Sequence, residues 1–155
     1  MTIVAIDFGT SNTVVSIIEA DTQQAKTLKL PEISRLFQFG NRIENIQEIS
    51  VIPTLIFIKE DHKFIIGEGV RSQHLGNSQP QRLFKNFKKD LVTDFQPPAR
   101  QVDGNSYNSR AIAELFIIEI YQKLKQQNIE ISELILTVPV GAFERYLDWL
   151  RNLVS

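Results

Sequence analysis

Asp7-Phe8-Gly9-Thr10-Ser11-Asn12-Thr13 stands between two apolar runs, residues 2–8 (T-I-V-A-I-D-F) and residues 13–19 (T-V-V-S-I-I-E). Both runs are rich in β-branched residues, which suit a pleated, half-buried surface. Only a short polar turn separates them, so they predict two antiparallel strands. A third run, residues 26–30, follows a further polar segment and extends the pair to a three-strand meander. The turn has what a phosphate-handling loop needs. Gly9 lets backbone approach a ligand, successive N–H groups are donors, Thr10 and Ser11 carry hydroxyls, and Asp7 at the strand end can orient a hydrated divalent metal. The same Gly-Thr-Ser-Asn tetrad also makes an ordinary tight turn, and at this point both readings stand.

Outward from this nucleus, residues 36–50 mix Phe, Gln, Asn and Gly without a clean period and read as a loop or irregular crossing where a subdomain begins. Residues 55–59 and 64–66, joined by Glu60-Asp61-His62-Lys63 and closed by Gly67, predict a hairpin. Residues 82–91 are basic and aromatic by turns, and helix and strand fit them equally. Pro97-Pro98 then stops any regular element. Asp103-Gly104 within residues 102–107 signals a small second hairpin. From 110 to 127, Ile112, Leu115, Phe116, Ile120 and Leu124 recur at helical spacing. Residues 134–138 (L-I-L-T-V) form a continuous apolar run ended by Pro139, as in a central strand buried on both faces. Phe143, Tyr146, Leu147, Leu150 and Leu153 then predict a last amphipathic helix, with Glu144, Arg145 and Asp148 on its outer face and Trp149 packing at its flank.

A strand reached through a helical crossover usually runs parallel to the earlier one, so residues 134–138 are expected beside residues 3–8. The expected fold is therefore α/β: a mixed sheet with a three-strand antiparallel meander and flanking helices, the ribonuclease-H-like core. Residues 1–48 and 109–155 would form that core, and 49–108 an inserted α+β subdomain.

Composition bounds the function. With 155 residues and 43% hydrophobic side chains, one globular unit can build a core without crosslinks. The absence of Cys excludes disulfide scaffolds, thiol redox sites and Cys zinc clusters. Lys+Arg 17 against Asp+Glu 18 leaves no positive field to hold a polyanion, so nucleic acid is not an expected partner. Apolar stretches fall far short of the roughly 20 residues that span a bilayer, and the segment Met1-Thr2-Ile3-Val4 has no basic region before its apolar run. A cytoplasmic location without membrane contact is expected.

Residues 6–17 (I-D-F-G-T-S-N-T-V-V-S-I) resemble the first phosphate loop of the actin-like ATPases, most closely that of the DnaK-type chaperones, the heat shock protein 70 family. The resemblance implies ATP/ADP and Mg as cofactors. Asp7 would reach the metal through water, Gly9, Thr10 and Ser11 would bind nucleotide, and Asn12 would support the turn through its backbone amide. Three later segments extend the likeness. Ile52-Pro53-Thr54-Leu55-Ile56-Phe57 followed by Phe64-Ile65-Ile66-Gly67-Glu68 looks like the strand, hairpin and helix start of the chaperones. Arg82-Leu83-Phe84-Lys85-Asn86-Phe87-Lys88-Lys89 is similar to the stretch with the family's catalytic lysine, aligned here on Lys85 with Lys88 second. Leu136-Thr137-Val138-Pro139-Val140 resembles the strand-to-proline turn, where Pro139 would serve the relay between nucleotide state and substrate domain.

Gly141-Ala142-Phe143-Glu144-Arg145-Tyr146 departs from the family pattern and marks a divergent branch. No second Asp-x-Gly-Gly-Gly-Thr loop occurs, so the chain reads as the first half of a nucleotide-binding domain, an excised fragment or a natural truncation. The whole protein would be an ATPase that couples hydrolysis to protein folding. Client peptides and co-chaperones would engage domains beyond this chain, and the isolated lobe would be inactive or nearly so. Two alternatives come with this reading. One is a non-catalytic interaction module that self-associates through an exposed sheet edge at residues 134–138. The other is a different actin-like ATPase, a filament protein or sugar kinase. Lys85 also fits a solvated basic face with Arg82, Lys88 and Lys89, too slight a cluster for nucleic acid. His62 and His74 lack partners at ligand spacing and are expected to be neither metal ligands nor bases.

Overall fold

The computed structural model describes residues 2–19, 21, 23–40, 47–91, 93 and 95–137; Pro139 and the expected last helix lie outside them. In chain order, β1 (Thr2–Asp7) and β2 (Asn12–Glu19) are followed by a short β3 (Ala25–Thr27), then β4 (Arg35–Phe39) and β5 (Gln47–Pro53), then β6 (Leu55–Ile58) and β7 (Phe64–Ile66). Next come α1 (Glu68–Ser72), a 3-10 turn at Pro80–Arg82, β8 (Leu83–Lys85) and α2 (Phe87–Asp90). The chain continues through β9 (Arg100–Val102), β10 (Asn105–Tyr107), α3 (Ser109–Gln126) and β11 (Glu133–Leu136).

The molecule is mixed α/β with several sheets. The largest, six-stranded, runs β11-β1-β2-β5-β4 with β3 also on β2. β1 and β2 pair antiparallel from Thr2↔Glu19 to Asp7↔Val14, and Ser16↔Thr27 adds β3, so the expected meander forms. β11 lies parallel to β1 from Ile3↔Glu133 to Ile6↔Leu136, the geometry that a helical crossover permits. Val4 and Ile6 alternate along β1 and are fully buried, and Phe8 continues the stripe. On α3, Ile112, Phe116, Ile120 and Leu124 recur every fourth residue and present one buried face to that stripe. The Asn108 side chain accepts the Ala111 N–H at 2.7 Å and caps the helix start. No helix among the described residues is long and apolar enough to cross a membrane.

Two expectations need correction. Residues 36–50 are not an irregular crossing: β4 and β5 pair antiparallel from Arg35↔Val51 to Phe39↔Gln47, and β5 runs across residue 49 onto β2. The period was hidden because β4 is the sheet's outer strand, where Leu36 and Phe37 are adjacent yet both exposed, at 47% and 43%. With neither face fully buried, no alternation is imposed. Nor is the strand at residues 134–138 buried on both faces. Among the described residues β11 pairs with β1 alone, and Leu134 and Ile135 are 37% and 42% exposed. An apolar run reports side-chain chemistry, not its place in a sheet.

The stretch 82–91 resolves into the tail of the 3-10 turn, β8 and α2. Asn86 makes the switch from strand to helix in left-handed backbone (φ 60). β8 joins the antiparallel three-stranded sheet β7-β6-β8. Arg82 does not belong to a solvated face. It is 8% exposed, donates to Ile58 O at 3.1 Å, and forks onto both oxygens of Asp103 at 2.7 and 2.6 Å. Asp103 and Gly104, both at positive φ (51 and 82), make the two-residue turn of the β9–β10 hairpin. The bidentate pair thus fastens that hairpin to β6.

Hydrogen bonds from Arg82 hold the Asp103 carboxyl below its ordinary 3.8, against a smaller opposing effect of burial. A depressed folded value means that this contribution is complete above the unfolded pKa and is lost as pH falls through the folded one. Asp103→Asn is therefore expected to lower Tm at pH 7, with the gap to wild type narrowing below pH 3.8; circular-dichroism melts across pH check it. Phe116→Ala, which empties a fully buried site, should cost about 3–5 kcal/mol in urea unfolding.

Candidate functional site

The loop between β1 and β2 is held by a residue far away in sequence. Thr54, between β5 and β6, donates its backbone N–H to Ser11 O at 2.9 Å and its hydroxyl to Gly9 O at 2.9 Å. Its oxygen also meets the Thr13 hydroxyl at 2.9 Å. A hydroxyl has a single proton, so with that of Thr54 given to Gly9, Thr13 must donate to Thr54. Thr13 and Thr54 are buried, at 0% and 1% exposure.

This clamp sets the loop's polarity. The carbonyls of Gly9 and Ser11 face Thr54, and trans peptides direct the N–H groups of Thr10 and Asn12 the opposite way. The Thr10, Ser11 and Asn12 side chains are exposed. A Cβ at Gly9 would sit 2.1 Å from Asn12 O, so only glycine permits so tight a turn. Tied carbonyls behind, N–H groups in front and exposed hydroxyls at Thr10 and Ser11 make a donor-rich loop suited to an anion.

Asp7 closes β1 beside this loop. Thr137, just past β11, donates its N–H to Ile6 O at 3.2 Å and its hydroxyl to Asp7 Oδ1 at 3.1 Å. Oδ1 is thereby engaged, and Oδ2 is the carboxylate oxygen left to a ligand among the described residues. No group of three or more His, Asp or Glu converges among them. A divalent ion at Asp7 would need water and phosphate oxygens for most of its coordination, the chemistry Mg favours.

Lys85 and Lys88 stand in different surroundings. Lys85, exposed, pairs across the β6–β8 ladder with Leu55, the residue after Thr54. It also borders a cavity of about 140 Å³ shared with Asp90, Arg100 and Tyr107. Lys88 carries its ammonium 5.8 Å from the centre of the Phe8 ring, between Asp7 and Gly9. Phe8 itself stacks on Phe116 at 5.9 Å and tilts against Phe87 at 6.1 Å, fixing the loop's root to α2 and α3. His62 and His74 are both exposed and at positive φ.

Of the residues expected at a site, Asp7, Gly9, Thr10, Ser11 and Asn12 share one loop, with Lys85 and Lys88 on neighbouring elements. Thr54 and Thr137 were not expected there. Their signal was a hydroxyl inside each of two apolar stretches, L-I-L-T and I-P-T-L, where a buried or strand-end hydroxyl needs a partner. No family model matches the sequence.

Replacing Thr54 by Val should leave Gly9 O and the Thr13 hydroxyl unpaired, at about 1–3 kcal/mol in denaturant unfolding. Thr54→Ser keeps both bonds and should cost about 1 kcal/mol for the lost methyl. Amide shifts of residues 9–13 should move in Thr54→Val and hold in Thr54→Ser.

Proposed function

We propose that this chain is the N-terminal lobe of a DnaK-type ATPase of the heat shock protein 70 family, built on the ribonuclease-H-like, actin-like core. The 7–13 loop would be its first phosphate loop. The observation that carries the reading is the Thr54 clamp, which turns two carbonyls away and leaves N–H groups on the opposite side, with exposed hydroxyls at Thr10 and Ser11 and an oriented carboxylate close by in the chain. Thr10 and Ser11 would donate to phosphate oxygens, and Asp7 would hold a hydrated Mg through Oδ2. Mg-ATP would supply the scissile phosphoanhydride and the charge that organises these donors. Lys85, or Lys88 over Phe8, would balance negative charge developing on the terminal phosphate.

A cleft site draws its affinity from groups on both walls. This lobe by itself should therefore bind nucleotide weakly and hydrolyse it negligibly. In the whole protein, working in the cytoplasm, hydrolysis would be coupled to client folding through further domains. A second reading, a non-catalytic module that associates through β11, is favoured by one observation, the exposed Leu134 and Ile135 on that outer strand.

Mg-ATP calorimetry on this chain, and on the chain continued through a second lobe, tests the reading. The longer form should bind, Asp7→Asn should weaken it at least about tenfold, and the shorter form should bind far less. Of Lys85→Ala and Lys88→Ala, the one that lowers turnover with binding retained identifies the lysine. If neither form binds, or Asp7→Asn binds as wild type, the loop is a structural turn and the interaction module is the better account.

A further inference from the structure

A cleft of about 470 Å³ opens where β7 and α1 meet α3, and none of the residues of the 7–13 loop or its clamp lines it. One side is apolar, built by Ile33, Phe64 and Ile66, which belong to or pack on the hydrophobic core. Across it α3 presents Glu119 and Lys123. The Lys123 ammonium is already committed, 3.3 Å from Glu32 Oε2. No cation lies within ion-pairing distance of Glu119 among the described residues. Partial burial pushes its carboxyl above the ordinary range, opposed only by the more distant Lys123 charge.

The cleft is also kept open by the chain. A Cβ at Gly69 would lie 3.1 Å from the Ile65 side chain, 3.5 Å from Glu32 O and 3.8 Å from the Gln73 amide nitrogen, all from residues that line it. Any side chain at position 69 would enter this space. Glycine is otherwise poorly suited to the interior of the short helix α1.

We propose that this cleft binds an organic cation, a primary ammonium on a short aliphatic stem, with the ammonium on Glu119 and the stem along Ile33, Phe64 and Ile66. Two carboxylates against one engaged ammonium disfavour an anion. A neutral apolar guest would bury Glu119 further without compensating it. A cation supplies the missing partner and makes a charge-assisted hydrogen bond in a partly desolvated setting. The chemistry is shared by free aliphatic amines and by the lysine side chain of a peptide.

The test is a titration of the ¹⁵N-labelled chain with 1,5-diaminopentane, with an acetylated and amidated Ala-Lys-Ala peptide, and with 1-pentanol. Saturable amide shifts confined to residues 64–73 and 119–123 are expected for the cations. Glu119→Gln, nearly isosteric, should weaken binding about tenfold, and Gly69→Val should abolish it. Lys123→Met, which frees Glu32, should strengthen it. Tighter binding of the peptide assigns the natural ligand to a protein side chain, and tighter binding of the diamine to a free amine. The proposal fails if no saturable shifts occur at these residues, if pentanol binds as well as the diamine, or if Glu119→Gln binds like wild type.

Discussion

The hydroxyl of Thr54 joins the two halves of the described structure. It sits where the chain leaves β5, in the main sheet, for β6, in the three-stranded one, and it reaches back to the turn that opens that main sheet. A buried hydroxyl without partners would be costly, and here both its proton and its oxygen are used. Its backbone N–H adds a third bond to the same turn. The β1–β2 turn, the start of the smaller sheet and the orientation of the exposed donors are thus one arrangement.

Around that node, packing and polarity divide the work. Phe8, Phe87 and Phe116 make an aromatic triad below the turn, with centroids 5.6 to 6.1 Å apart, so the turn rests on a rigid floor. Above it, Asp7 is steered by Thr137, and no cation pairs with it among the described residues. A hydroxyl orients a carboxylate without neutralising it, which keeps the negative charge available. Arg82 does the opposite. Forked onto Asp103 and donating to Ile58 O, it spends its charge on architecture, and its Nε is buried without a partner among the described residues. Two arrangements of charge within one small chain therefore have different consequences: one is left open, the other closed.

Much of the fold was legible because local chemistry and tertiary position agreed. β-Branched runs became β1 and β2, the Asp103-Gly104 pair became a two-residue turn, and the fourfold spacing of Ile112, Phe116, Ile120 and Leu124 became the buried face of α3. β4 was illegible because an outer strand with both faces partly wet carries no alternation. The position of β11 was illegible because apolar runs look alike at the centre and the rim of a sheet. The loop could be read from Gly9 and its hydroxyls. Thr54 and Thr137 could not be assigned to it, since nothing local in I-P-T-L or L-I-L-T says which carbonyl or carboxylate their hydroxyls will meet. Arg82 was misread for the same reason: its partner is 21 residues on, in a turn whose own signal concerned backbone shape.

The contact between Thr137 and Asp7 spans 130 positions, and the clamp from Thr54 to Gly9 spans 45. During synthesis the β1–β2 turn leaves the ribosome 130 positions ahead of Thr137, so its carboxylate waits for that hydroxyl until almost the whole described chain has followed. At about 5–20 residues per second that interval is on the order of 10 seconds. The partners of the donor-bearing turn therefore become available in stages: first the strand pair, then the clamp, and last the hydroxyl that steers Asp7. Non-local closure of this kind is entropically slow, so a nascent chain would carry the strand pair and its turn, with Asp7 still unsteered, until Thr137 has been made.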